Sequence, residues 1–381
     1  MGCFPLHSVR RASARSRTEV TPGGVLKPTS RIASVDALRG LTVAAMLLVN
    51  DAGDWDHVFR PLEHSAWHGC TPTDLVFPFF LVIAGVSLSL ATGSRWERGD
   101  ASGRLLPPLL LRAGRVILLG LVLHALAWWL MDKPHFRPMG VLQRIGLCVA
   151  GAAIVGSAWR GERARWTVLA VLLLGYGALM SLSGGWEPGT NLASRVDNLV
   201  FGHWNYQWDA ATGTGSDPEG LLSTLGALGH VVLGLIAGER LRQGRGRSLW
   251  PIGGALVLLG AAGTWWMPWN KQLWTPSFVL WTGGWAWLAL AAAHEVVDER
   301  GGKPWGRAFG VNAIGAYAAA WVAAVCLGGF GWMEPLYRTV FGPLGRVVGP
   351  DGQSLAFALV FVAMFAVFVK WLDRRGWYLK I

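Results

Sequence analysis

Leu75-Val76-Phe77-Pro78-Phe79-Phe80-Leu81-Val82-Ile83-Ala84-Gly85-Val86-Ser87-Leu88-Ser89-Leu90-Ala91 runs without a charge between Asp74 and Arg95. As a helix, a run of this length approaches the roughly 30 Å of a bilayer's hydrocarbon core. Similar runs recur near 33–50, 74–92, 110–131, 140–158, 166–182, 220–238, 249–266, 276–294, 310–328 and 353–372. One such run fits the core of a soluble domain, but ten cannot all be buried inside a chain of 381 residues. Charged residues make up only 15% of the sequence, against about 25% in soluble domains. The expected fold is all-α: a polytopic membrane protein of about ten transmembrane helices. Pro107-Pro108, Gly184-Gly185 and Gly301-Gly302 mark breaks between runs.

A net charge of +11 could suggest nucleic acid. The basic residues are instead dealt out among short loops, so membrane lipid and not nucleic acid is the expected partner. Many of the 23 Trp, such as Trp128, Trp129, Trp265 and Trp266, stand at the ends of apolar runs, where indoles favour the membrane interface. Cys3, Cys70, Cys148 and Cys326 show no metal-ligand spacing, and no disulfide framework is expected from them.

Arg and Lys alternate from loop to loop. One set of loops holds Arg95, Arg98 and Arg104; Arg160, Arg163 and Arg165; Arg240, Arg242, Arg245 and Arg247; and Arg300, Lys303 and Arg307. The other set carries few. The positive-inside rule puts the rich set in the cytoplasm, and ten spans then put both basic ends there too. Residues 1–32 read as a basic, flexible cytoplasmic arm, 33–372 as the membrane domain and 373–381 as a cytoplasmic tail. Two long outer segments, 51–73 and 183–219, are where a working surface is expected.

The first of them, with its flanks, is unusually rich in His and acids. It includes Asn50, Asp51, Asp54 and His57, then Glu63, His64, Trp67, His68 and Asp74. Imidazole can exchange a proton near neutral pH, and a carboxylate can orient it. The alternative is a solvated loop. His64 and His68 would share one face of a helix, as zinc ligands can, but no metal is expected. Asp74 admits two readings, a cap for the second span or an orienting partner for a loop His. Asp36 and Arg39, three apart, are either a structural ion pair or an anion contact. Arg144 carries the same ambiguity. His124 and His230, inside apolar runs, read as interhelical hydrogen-bonding groups.

Six motifs resemble one family in its order. They are Ser34–Thr42 leading to Asn50, then His64–Phe80 (His64-Ser65-Ala66-Trp67-His68-Gly69-Cys70-Thr71-Pro72-Thr73-Asp74 at its start), and Gly140–Gly146. Asp217–Thr224, Asn270–Phe278 and Phe309–Ile314 follow. The resemblance is to the heparan-α-glucosaminide N-acetyltransferase type of transmembrane acyltransferase, in its bacterial members. It implies that acetyl passes from cytoplasmic acetyl-CoA, a co-substrate, to an amino sugar or glycan acceptor across a bacterial inner membrane. The catalytic residues it implies are His64, Asn50 and Asp74. Asp36, Arg39 and Arg144 are expected to bind acetyl-CoA. Asp51, His68, Trp67, Asp217, Glu219, Asn270, Lys271 and Asn312 are expected to bind the acceptor. Relatives also suggest a homodimer, and the luminal N-terminal domain of the human-type enzyme is not expected here. The sequence departs from the family pattern at Asp51-Ala52-Gly53-Asp54, which is acidic where a Gly-rich stretch is usual, and at His68, where Asn is common. Both departures border the acceptor side.

The implied chemistry has His64 either taking a proton from the acceptor amine or taking the acetyl group first. Asn50 would stabilise the carbonyl oxygen, and Asp74 would fix the imidazole tautomer. Two competing readings are an O-acyltransferase of cell-envelope polysaccharide and a permease using Asp36, Arg39 and His64 as relay groups.

Overall fold

A computed structural model describes residues 32–99, 102–182 and 184–379. Most of the arm expected over 1–32 and the last two residues of the tail lie outside them. The described chain is helical, with no β-strand among the described residues. The principal helices are α1 (Ala33–Asn50), α2 (Val76–Glu97), α3 (Ser102–Leu130), α4 (Val141–Ala158), α5 (Glu162–Leu182), α6 (Leu192–Phe201), α7 (Thr224–Arg242), α8 (Leu249–Ala262), α9 (Pro276–Ala293), α10 (Arg307–Val311), α11 (Ala313–Gly329), α12 (Met333–Leu336) and α13 (Gly342–Arg375). A helix occupies every expected span. Among the described residues, eight segments are long and apolar enough to cross a bilayer. The other two expected spans are Trp-rich α9 and the 17-residue α11.

The centre of the bundle is α7, with 78% of its apolar window buried, against 22% for α3. Leu118, Leu174, Leu258 and Val367 stand out on the outer faces of α3, α5, α8 and α13. This inversion suits a lipid solvent, in which outward apolar side chains cost nothing. Small residues let the inner helices touch. A methyl added at Gly85 of α2 would strike the Val231 carbonyl of α7, and one at Gly234 would strike the Val82 carbonyl in return. At α1 and α10 the same holds for Gly40 against Gly306 and for Gly310 against the Asp36 carbonyl.

Both ends of the described chain lie at one end of the bundle. Ala33 N–H donates to Asp298 (3.0 Å), Arg39 to the Gly310 carbonyl (3.0 Å), and Arg307 to Asp373 near the finish of α13 (2.9 Å). This arginine end also gathers Glu162 with Arg240 and Arg245, and Glu97 with Arg242. The buried Arg165–Glu239 pair links α5 to α7 there. The opposite, histidine end carries the two long loops.

Two boundaries differ from expectation. Helix α3 begins at Ser102 and not near 110, because Pro107 and Pro108 sit close to its start, where few amide hydrogen bonds are forfeited. Helix α13 begins well before 353 and is broken at Gly349 (φ 77°) ahead of Pro350.

Candidate active site

The 51–73 loop is fastened before it reaches its histidines. Gly53 lies against Tyr337 and Phe357, where a side chain would collide with the Tyr337 ring and the Phe357 Cβ. Asp54 N–H donates to Ser354 Oγ (3.0 Å), and that hydroxyl donates back to the Asp54 carbonyl (2.9 Å). Asp54 also holds His57 Nδ1 at 2.8 Å. The contact lowers the Asp54 pKa and raises that of His57. Further on, Thr73 Oγ1 donates to the Pro61 carbonyl (3.1 Å) and Thr71 Oγ1 to that of Glu63 (2.6 Å). Gly69, at φ +120°, donates its N–H to the Trp269 carbonyl (2.7 Å), and Trp67 Nε1 donates to the Trp186 carbonyl (2.9 Å). Three distant loops are thereby stitched together over the ends of α2 and α9.

The two readings of Asp74 hold at once. The residue is fully buried. Its Oδ2 accepts from Thr71 N (2.9 Å) and Ser65 N (3.1 Å), which caps the short turn Pro72–Leu75 leading into α2. Its Oδ1 lies 2.8 Å from His64 Nδ1. An ionised carboxylate only accepts, so Nδ1 carries the proton and the lone pair is on Nε2. The His64 side chain is 45% exposed while Asp74 is at 0%. The base can therefore be reached from outside, and its orienting partner cannot.

Lys271 completes the cluster. Its Nζ is 3.0 Å from His64 Nδ1, 3.1 Å from Nε2 and 3.7 Å from Asp74 Oδ1. Nζ is nearly equidistant from the two ring nitrogens, so it stands over the imidazole and not along the Nε2 lone pair, which stays open to a substrate. Burial lowers the Lys271 pKa, against the pull of Asp74 and Glu219. The lysine is held by a tight turn, in which Asn270 Oδ1 accepts from Leu273 N (2.8 Å) and buried Trp274 adopts φ 50°. Asn270 Nδ2 also lies 3.4 Å from His68 Nδ1, and His68 Nε2 is 3.7 Å from Glu187.

Asp217 and Glu219 are both held by Arg137, the former through contacts of 2.6 and 2.9 Å. Burial would raise the Glu219 pKa, but Arg137, Arg144 and Lys271 outweigh it and hold it low. Arg144 is buried, donates to the Gly220 carbonyl (3.0 Å) and to Ser223, and lies 5.3 Å from the Trp274 ring. It therefore belongs to the histidine end. Asp36 and Arg39, paired at 2.8 Å, lie near the other end of α1. Eleven residues separate Arg39 from Asn50, about 16 Å of helix. Asn312 sits at the α10–α11 junction beside the arginine end, with Nδ2 3.5 Å from the Ala308 carbonyl. Asn50 and Asp51 line a cavity among α1, α3, α11 and α13, whose lining does not include His64.

His124 and His230 each make one hydrogen bond, to the Arg137 carbonyl (2.7 Å) and with Thr282 Oγ1 (2.8 Å), and pack on Trp321 and on Trp274 and Phe278 respectively. Among the described residues no three His, Cys, Asp or Glu are grouped to hold a metal ion. Sequence reasoning missed Arg137 as the partner of the Asp217–Glu219 turn and Glu187 as the neighbour of His68. Separations of 80 and 119 residues leave no local signal for either.

These features define a class first: a helical integral membrane protein that presents, at one end, a histidine oriented by a buried carboxylate and faced by a buried lysine. Residues 31–251 match the profile of a family described as heparan-alpha-glucosaminide N-acetyltransferase, catalytic, and the chain belongs to that family. It is similar to the heparan-alpha-glucosaminide N-acetyltransferase of Homo sapiens, 28% identical over 359 residues, which cover 75% of this chain and 53% of that protein. The Mus musculus protein of the same name is 27% identical over 336 residues, 71% of this chain and 50% of its own length. The chain thus spans about half the length of these curated relatives.

Proposed function

We propose that this protein is a transmembrane N-acetyltransferase that takes acetyl from cytoplasmic acetyl-CoA and gives it to a glucosamine-type amino sugar on the periplasmic side of a bacterial inner membrane. The observation that carries the reading is the 2.8 Å contact from His64 Nδ1 to Asp74, which leaves Nε2 as a base. The acceptor amine attacks the thioester carbonyl as Nε2 removes its proton. The tetrahedral oxygen is negative, and the Lys271 ammonium is the nearest cation to receive it. When the carbon–sulfur bond breaks, the imidazolium returns its proton to the departing thiolate. The products are an amide and free CoA thiol. In this reading the arginine end faces the cytoplasm. There Arg160, Arg163 and Arg245 line an open cavity of about 520 Å³ whose charge suits the CoA phosphates.

Vesicles loaded with labelled acetyl-CoA and given glucosamine outside test the proposal. Label on the sugar nitrogen supports it, label on a hydroxyl replaces it with O-acyl transfer, and passage of unmodified sugar replaces it with transport. Asp74→Asn should lower turnover about 10²-fold or more by turning the imidazole to the wrong tautomer. Unchanged turnover in that variant would remove the dyad from the mechanism.

A further inference from the structure

The cavity beside the loop is a poor container for a bare sugar. Its volume is about 480 Å³, within the roughly 300–1,000 Å³ of small-molecule sites. It is walled mainly by aliphatic, sulfur and aromatic side chains, among them Leu47, Met131, Val325, Met333, Phe357 and Phe361. A sugar hydroxyl buried against such a wall without a partner is unfavourable. The polar groups gather at one side, where α1 ends: Asn50 is exposed and Asp51 half-buried, with Lys133 exposed at the rim. The Asp51 carboxylate has no hydrogen-bond or ion-pair partner among the described residues. Trp321 also lines the space, and its indole N–H is buried without a partner there. At the ends of α3 and α11, which contribute to the cavity, Trp129, Phe330 and Trp332 are strongly exposed, as in the aromatic belt of a membrane–water interface.

We infer that this cavity binds the hydrocarbon chain of a lipid-linked amine, with Asp51 as counter-ion to the amine, so that the acetyl acceptor is an amphiphile held at the membrane surface. The inference rests on the N-acetyltransferase reading and names its acceptor class. The chain lies among α1, α3 and α11, and the head group stays at the finish of α1. Trp321, on the cavity wall, stacks on His124 (5.5 Å between ring centroids), whose Nδ1 lies 2.7 Å from the carbonyl of Arg137, the residue that holds Asp217 and Glu219. The cavity is thereby a neighbour of the Asp217–Glu219 turn at the histidine end. A lipid tail also supplies what a free sugar lacks, partitioning from water into the membrane that concentrates the amine beside the cavity.

The test uses the full chain in lipid nanodiscs and a dodecyl β-D-glucosaminide carrying a diazirine at the end of its chain. Photolabelling should fall on Met131, Leu327 or Met333 and be competed by unlabelled dodecyl glucosaminide but not by dodecyl glucoside. Ala324→Phe, which fills the cavity, should cut that labelling at least 10-fold, and Asp51→Asn should remove the preference for the amine. With acetyl-CoA present, dodecyl glucosaminide should be acetylated with a kcat/KM at least 10-fold above that of glucosamine. Labelling spread over the lipid-facing helices and unchanged in Ala324→Phe would overturn the inference, as would protection by CoA alone, which would assign the space to the donor. Specific labelling without acetyl transfer would sink the acetyltransferase reading and leave the cavity assignment standing. Acetyl transfer with no chain preference and no cavity label would do the reverse.

Discussion

Two carboxylate–base pairs stand at opposite ends of the molecule, and they are built differently. Asp36 and Arg39 meet within one turn of α1, where glycine backbones of α1 and α10 press together and Arg39 is also bonded to the Gly310 carbonyl. Asp74 and His64 meet across a loop, and the histidine keeps nearly half of its side chain exposed. In the first pair the charges close a helix crossing. In the second, one oxygen of the acid is used for the fold and the other aims a base that the fold itself does not need. A buried acid supporting an accessible base is the arrangement that proton transfer requires. A mutually enclosed pair mainly contributes to packing.

The comparison would be broken most sharply by His64→Ala. Turnover should fall about 10²–10⁴-fold, the range of general-base contributions, while the melting temperature moves little. A stopped-flow or end-point assay beside a thermal melt reads both, and a large loss of stability would mean that His64 is structural after all. At the other end, Gly310→Val should give the opposite pattern. Its side chain would meet the Asp36 backbone, costing about 1–3 kcal/mol or more of stability, with the turnover of correctly folded protein preserved. Next comes Asp51, whose pKa burial raises to about 7 from an ordinary value of 3.8. Between about pH 4 and 7 the folded state holds a proton that the unfolded chain has lost, so stability falls as pH rises through that window and is level above it. Since Asp51 is only half-buried, about 1–2 kcal/mol is expected after screening. Asp197, likewise raised to about 7 by burial, adds its own share, so the difference between melts at pH 5 and pH 8 should be smaller in Asp51→Asn than in the parent by that amount, and an equal difference in both would clear Asp51. The smallest effect belongs to Arg39→Ala, about 1 kcal/mol of stability. If acetyl-CoA affinity, read by calorimetry, is also unchanged, Arg39 has no part in holding phosphates.

The helices were legible because lipid imposes a length and a composition on each of them, and α1 and α4 fall within a residue of their apolar runs. Ends containing proline were less so, since Pro107 and Pro108 interrupt a pattern without ending a helix. The His64–Asp74 contact spans ten residues, and its parts lay within one unusual stretch. The contact of Lys271 with His64 spans 207 residues, and no periodicity encodes it. Resemblance marked the lysine for the acceptor, whereas the folded chain sets it on the base. Arg144 and Arg39 carried the same ambiguity on opposite sides of the membrane, and the folded chain likewise starts α1 and α4 from opposite ends of the bundle, with Arg39 on the Gly310 carbonyl and Arg144 on that of Gly220.

The glycine seam between α2 and α7 limits how the molecule can move. With Gly85 against the Val231 carbonyl and Gly234 against that of Val82, the two rods are keyed like a rack and pinion with no slack. Slippage by one residue would drive side chains into main chain on both sides. A carrier that works by sliding its halves past each other would have to put its shear plane elsewhere. A stationary frame, through which only a slender tether and a two-carbon cargo need to pass, is not troubled by such a lock.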